Sequence, residues 1–313
     1  MNYKVLNSNK DLYEWEDLFN RLPSHYNDIY FKPSYMNLYK KKDSEALIFA
    51  YYENEYLWIY PFFLTKINKK FYNTNQKIYS DIESVYGYSG PLSNNSDTLF
   101  LEKAVETFNL WCEKNNIVAE FIRFHPLLNN NCYHNKDIQI IHDRNTVSID
   151  INNFNNYQKK FDSKTRNMIK KFYKTKNYIK RSNLREDYNL FVDLYLTNMK
   201  LLKADKYYLF NNQYFDDLFN FLLQNGVLIA AFDEFKQLIG GALIFYSNNY
   251  AHYHLASTLK TSKYAGVSNA IIEEAIEISS EKSKSKLHLG GGVTSDKDDK
   301  LLKFKISMGN DIN

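Results

Sequence analysis

The chain has 313 residues, of which 44% are apolar and 24% charged, with a formal net charge of +4. That is the composition of a folded chain long enough for two domains, each with its own core. It excludes a disordered, collagen-like or disulfide-framed protein. The first residues are acidic with no apolar stretch, and no window has the length of a membrane span without charge, so neither a secretion signal nor membrane insertion is expected and the expected compartment is the cytoplasm.

In chain order, Glu14–Leu22 has the spacing of a first helix, and Pro33-Ser34 opens a second over Tyr35–Lys41. Residues 46–52 and 56–64 are apolar runs parted by Glu53-Asn54-Glu55, a hairpin pattern in which Pro61 points to an edge or a bulge. Gln76–Ile82 reads as another strand. In VYGYSGPLSN, residues 85–94, Gly87, Gly90 and Pro91 fix a turn that is either a plain surface loop or a cleft wall bearing Tyr86 and Tyr88. Leu99–Lys114 is an amphipathic helix, and Ile117–Phe124 is a strand that carries Arg123 and runs into His125. Glu120 is polar within that apolar run, so it is either paired or functional. The two cysteines, Cys112 and Cys132, have no metal or redox spacing; reduced thiols and no metal site are expected. Thr146–Ile151 is a short strand expected to close the first domain, with a boundary in the Asn-rich stretch 152–156, giving domains 1–155 and 156–313.

Charge changes at that boundary. Residues 1–155 hold 16 Lys and Arg against 19 Asp and Glu, and residues 156–313 hold 24 against 17, so the second domain is expected to meet an anionic partner. Phe161, Thr165, Met168, Ile169 and Phe172 trace the buried side of a helix whose other side is basic. Residues 159–185 contain 11 Lys and Arg and one acid, Asp162. That run is either a solvated face or an attractor of phosphates or RNA. Helices follow at about Asp187–Lys203 and Gln213–Leu223, then strands Val227–Phe232 and Leu238–Ser247 about the turn Asp233-Glu234-Phe235-Lys236.

The most informative stretch is 250–292. Strand alternation over Tyr250–Thr258 puts His252, His254, Ala256 and Thr258 on one face. Gly266 ends the next loop, and Val267, Ile271, Ala275 and Ile278 recur at helical spacing. A helix N-terminus has N–H groups without internal partners and the positive end of a dipole, so Gly266, Val267, Ser268 and Asn269 are candidate phosphate binders. The pattern is neither Gly-x-Gly-x-x-Gly nor a Walker loop, which argues against a dinucleotide fold or a P-loop. Leu287–Leu289 is a strand running into Gly290–Gly292, and a helix or turn follows at Asp299–Ile306.

The halves thus read as two copies of one α/β (α+β) plan. The segments KTRNMIKKF (164–172), AHYHLASTL (251–259), YAGVSNAIIEEAI (264–276) and LHLGGGVTSDKDDKLLKFKISMG (287–309), with YSGPL (88–92) and IRFHP (122–126), resemble the tandem GNAT fold of the peptidoglycan bridge-forming (Fem-like) aminoacyltransferases and of nucleotide-sugar N-acyltransferases. The resemblance implies two tandem GNAT-like (acyl-CoA N-acyltransferase-like) domains, with the donor site in the second. It implies direct attack of an amine on an activated carbonyl, with Lys305 stabilising charge in the transfer. His254 and His252 are the base candidates, since histidine titrates near pH ~6.5; each reads equally well as a ring stacked across strands. Tyr86, Tyr88, Arg123, His125 and Arg166 are expected to line an acceptor groove, where tyrosine stacks on a pyrimidine and arginine clamps a diphosphate. His125 and Glu120 are weaker base candidates.

The expected reaction moves an acyl group from acyl-coenzyme A to the amine of a dTDP-linked amino sugar, as in surface polysaccharide or lipopolysaccharide synthesis. The alternative is an aminoacyl-tRNA-dependent transfer to a peptidoglycan precursor. The chain lacks the long helical hairpin of several tRNA-dependent members, which favours coenzyme A. Yet of the pyrophosphate pattern in Lys263–Asn269 only Gly266 remains. A non-catalytic RNA-binding module and an inactive structural copy of the fold are further readings.

Overall fold

The computed structural model describes residues 2–68, 77–134, 138–152, 161–203, 205, 209–309 and 311–313. The chain divides into two units, Met1–Ile141 and His142–Asn313. In the first, the order is β1 (Tyr3–Asn7), α1 (Leu12–Asn20), α2 (Pro33–Tyr39), β2 (Ser44–Glu53), β3 (Tyr56–Lys66), β4 (Ser80–Glu83), β5 (Leu92–Ser93), α3 (Thr98–Lys114) and β6 (Ile117–Phe121). The sheet order is β1-β2-β3-β4-β6, with β5 also on β3. Neighbours are antiparallel except β4 and β6, and α3 supplies the crossover that a parallel pair requires. Asp97 caps α3 by accepting the Phe100 N–H at 3.0 Å. The Phe100, Ala104, Phe108 and Trp111 stripe of α3 packs on Phe49, Trp58, Tyr60 and Phe62. Pro61 lies mid-strand opposite Ile48, between the stretches of β3 that β5 and β4 pair with, so its missing N–H breaks no ladder on that side. The Ser89 hydroxyl donates to its carbonyl at 2.6 Å.

The second unit holds β7 (Thr146–Asp150), α4 (Ser163–Lys174), β8 (Tyr178–Ser182), α5 (Arg185–Leu201), α6 (Asn212–Asn225), β9 (Gly226–Phe232), β10 (Leu238–Tyr246), β11 (Tyr250–Thr258), α7 (Val267–Glu281), β12 (Lys286–Gly291), α8 (Lys300–Met308) and β13 (Asp311–Ile312). Its sheet order is β13-β7-β12-β11-β10-β9-β8, antiparallel except β11 with β12. From β8 onward this repeats the first unit: a strand, two helices, three antiparallel strands, a crossover helix and a parallel strand. The crossover helix α7 turns an apolar stripe into the core; Ala270, Ile271, Ala275 and Ile276 are fully buried. It lies close to β10 because Gly240 has no side chain: a Cβ there would come within 2.6 Å of Val267. Phe172 and Ile169 of α4 join the same core from outside α7. Burying side chains of this size contributes roughly 1.5–3 kcal/mol each.

One expectation changes, and two strands are added to those read from the sequence. The strand at 146–151 does not close the first domain. It pairs with β12 and β13, and Val147 and Ile149 sit in the second core beside Leu287 and Leu289. Five alternating residues specify a strand but not the sheet that takes it up. Strands β1 and β8 were not foreseen; both are sheet-end strands, and YIKRS buries only Ser182. The expected strand from Gln76 is described only from residue 77 and pairs over Ser80–Glu83, and most of the boundary stretch 152–156 lies outside the described residues.

Candidate functional site

Strands β11 and β12 run parallel but pair at only three positions, Tyr250 with Lys286, Ala251 with Leu287 and His252 with His288. Beyond them each strand pairs only with its other neighbour. Two register shifts account for this. On β11, Leu255 faces Leu243 and Tyr253 faces Ile244, leaving His254 as the extra residue of a bulge. On β12, His288 faces Ser148 and Gly290 faces Val147, leaving Leu289 extra. A bulge bends its strand and raises the local twist. Each lies within two residues of the last shared pair, His252 with His288, so β11 and β12 stop pairing there and part toward their C-terminal ends.

The bulge also corrects the expected faces of β11. Ala256 packs on the core beneath α7, with Ala251 and Tyr253, and Thr258 lies against the Cβ direction of Gly240, beside Val267. His252 is on the opposite face, buried, with its ring edge-on to His288 at 5.7 Å. The His254 ring lies 4.8 Å from Phe245. Burial, and secondarily the charge of His252, pull His254 down to about 3, so it is neutral at neutral pH rather than titrating near 6.5.

Lys305 of α8 reaches the end of β12, where its ammonium donates to the Gly291 carbonyl at 2.7 Å. Only 9% of the residue is exposed, and burial lowers its pKa to about 8, against the opposing pull of Asp299. Asp299 holds this corner together: it caps α8 through the Leu302 N–H and accepts from the N–H groups of Val293 and Thr294. Arg144, just before β7, donates to the Val293 carbonyl at 3.1 Å; sequence reasoning did not single it out.

The N-terminus of α7 lies at the same end of the sheet. Gly266 is its N-cap, at φ +91°, and a Cβ there would stand 2.1 Å from the Met168 carbonyl of α4. The Val267 side chain is in the core and the Asn269 amide donates to the Met308 sulfur at 3.2 Å, so among these residues the first-turn N–H groups and the half-buried Ser268 are what could meet a phosphate. Helix α4 packs on α7 and turns its basic side outward: Lys164, Arg166, Lys170, Lys171 and Lys174 are all exposed. Arg166 also donates to the Phe161 carbonyl.

The remaining predicted residues lie in the first unit. Tyr86 stacks on Tyr39 at 4.8 Å, and its carbonyl accepts from the Tyr35 hydroxyl at 2.9 Å. Tyr88 and His125 meet edge-on at 5.6 Å, and His125 lies 3.7 Å from the buried carboxylate of Asp28. Arg123 is exposed, and its carbonyl accepts from the Ser89 N–H at 2.8 Å. Glu120 is paired, with His134 at 3.4 Å. Thus Tyr86, Tyr88, Arg123 and His125 are gathered around one turn, whereas Arg166 belongs to α4.

No family model and no curated protein matches the chain. Among solved structures, FemX superposes with a TM-score of 0.69 at 12% identity, covering 100% of this chain and 95% of that one. A conserved protein of unknown function from Bacteroides thetaiotaomicron VPI-5482 gives 0.57 at 12% identity over 98% and 94% of the two chains. L-PGS from Bacillus licheniformis gives 0.56 at 11% identity over 94% and 80%. At such identities the fold is what is shared. The chain consists of two tandem GNAT-like domains of mixed α/β architecture, the fold also found in FemX. Among the described residues no helix is long and apolar enough to cross a membrane.

Proposed function

We propose that the protein is an N-acyltransferase that takes an aminoacyl group from aminoacyl-tRNA and delivers it to an amine of a peptidoglycan precursor. The observation that carries this reading is the parting of β11 and β12, with the amine of Lys305 at the end of β12 and the exposed basic face of α4, the helix that lies across the N-terminus of α7. A wide row of cations suits a polyanion better than it suits a single pyrophosphate. The likeness to FemX and to L-PGS points the same way as the alternative drawn from sequence.

In this reading the donor ester lies where β11 and β12 part. The acceptor amine attacks the ester carbonyl carbon, a C–N bond forms, and the bond from that carbon to the ribose oxygen breaks. The proton lost by the amine ends on the ribose oxygen, so no enzyme base needs to keep it. That accords with His254, whose neutral imidazole binds a proton only weakly. Lys305, mostly charged at pH 7, is assigned to the developing oxyanion. Tyr86, Tyr88, Arg123 and His125 are proposed for the acceptor, together with Arg166. Acyl-coenzyme A with a dTDP-linked amino sugar remains the second reading, favoured by the glycine-capped first turn of α7.

The deciding experiment offers the purified protein charged tRNA with a peptidoglycan precursor and, separately, acyl-coenzyme A with dTDP-amino sugars. Ribonuclease-sensitive amide formation is expected. Thiol release in the second assay with none in the first would replace this reading by the second.

A further inference from the structure

The turn between β9 and β10 lies at the same end of the sheet as the first turn of α7, because Gly240 pairs with Thr258 and Leu259 donates to the Ile239 carbonyl. At its tip Phe235 is 76% exposed, the most of any phenylalanine among the exposed large hydrophobic side chains. An aromatic ring gains nothing from water, and the backbone that carries this one is fixed. The buried Asp233 accepts the N–H groups of Phe235 at 3.0 Å and Gln237 at 2.9 Å, which closes the turn. Its other oxygen accepts from the Tyr264 hydroxyl at 3.0 Å, tying the turn to the loop that enters α7. Lys263 donates to the same hydroxyl at 3.0 Å, and its ammonium lies 6.0 Å from the Phe235 ring centre. Lys236 is exposed next to Phe235, Lys260 is exposed just past the Gly240–Thr258 pair, and Glu234 is the exposed acid of the turn.

We propose that Phe235 is a stacking platform for an unpaired nucleobase, with Lys263, Lys236 and Lys260 meeting the adjoining phosphates; the assignment rests on the nucleic-acid donor reading. An exposed aromatic ring on a fixed turn, with cations near it, is what single-stranded nucleic acid requires, since each base has a π-face and each linkage a charge. Paired RNA would leave the ring without a base to stack on. The site therefore selects an unpaired end, such as the one that carries the aminoacyl group of a charged tRNA, and sets it beside the first turn of α7.

The test measures binding of a labelled, uncharged RNA tetranucleotide by the full chain, and KM and kcat with charged tRNA. Phe235→Ala is expected to weaken tetranucleotide binding about tenfold or more, with Phe235→Trp restoring it. In transfer, F235A is expected to raise KM and leave kcat near its starting value. Lys263→Ala is expected to lower the salt slope of binding by about 0.7, with the ring contribution retained. Equal tetranucleotide affinity for wild type and F235A, or no binding by either, overturns the proposal. If transfer from charged tRNA proceeds and F235A leaves both KM and binding unchanged, the platform falls while the donor reading stands. If tetranucleotide binding depends on Phe235 but charged tRNA supports no transfer, the platform stands and the donor reading falls.

Discussion

Lys305 combines burial with a single nearby acid, and the two act in opposite directions on its proton. Burial dominates, so the amine titrates at about 8 in the folded protein. If its ammonium meets the oxyanion, kcat/KM should fall as pH rises through that value. Lys305→Met should remove this limb and cost about 10²–10³ in rate, whereas Lys305→Arg should keep the charge and shift the limb to higher pH. A rate that instead climbs to a plateau above pH 8 would make Lys305 a base. The same shift has a consequence for stability. Between about 8 and the ordinary value of 10.5 the unfolded chain holds a proton that the folded chain does not, so folding stability should rise with pH across that window. K305M should abolish the rise in denaturant titrations. His254 gives a negative expectation: with its pKa near 3, activity between pH 5 and 7 should show no limb that His254→Gln removes.

Among the elements, the seam between α4 and α7 is where sequence and site meet. Asp162 caps α4 through the Thr165 N–H at 2.6 Å, and Thr165, Ile169 and Phe172 form its buried stripe. Phe172 is fully buried against α7, so Phe172→Ala should cost about 3–5 kcal/mol in chemical denaturation. Gly266→Ala places a Cβ at φ +91° and 2.1 Å from a backbone carbonyl. Left-handed strain of about 1–2 kcal/mol then adds to a clash that no side-chain rotation relieves, so a loss of about 2 kcal/mol or more is expected, with weaker donor binding. A glycine in a loop before a helix could be seen in the sequence; that the α4 backbone lies across it could not.

For the whole molecule, the uneven charge becomes a surface. The cations of the 159–185 run that lie on α4 are exposed together on one side of the helix, opposite the stripe packed toward α7. Replacing Lys164, Lys170, Lys171 and Lys174 by Gln should weaken tRNA binding and flatten the plot of log affinity against log salt by about 0.7–0.9 for each phosphate no longer neutralised. A donor as small as coenzyme A would give a shallow slope in the wild type and little change in the variant. The repeated order of strand, helix pair, three strands, crossover helix and parallel strand shows why the halves read as copies despite their different residues. The plan is kept by hydrophobic periodicity, which many sequences satisfy.

The sequence by itself determined the features that act over a few residues: the apolar stripes of α3, α4 and α7, the hairpin β2–β3, the capping of α7 by Gly266, the basic run and the placing of Lys305 after a glycine-rich strand. Each depends on local spacing or on the conformations one residue allows. Tertiary structure alone decided the rest. Strand β7 joins the second sheet because β12 offers an open edge there. The bulges at His254 and Leu289 exist only in relation to the strands opposite, and the one at His254 changes the faces that simple alternation assigned along β11. The low pKa of His254 and the near-neutral one of Lys305 come from burial by the surrounding fold, and the bond from the Tyr264 hydroxyl to Asp233 joins residues far apart in the chain. Burial and strand pairing are properties of neighbours, and the linear order does not name them.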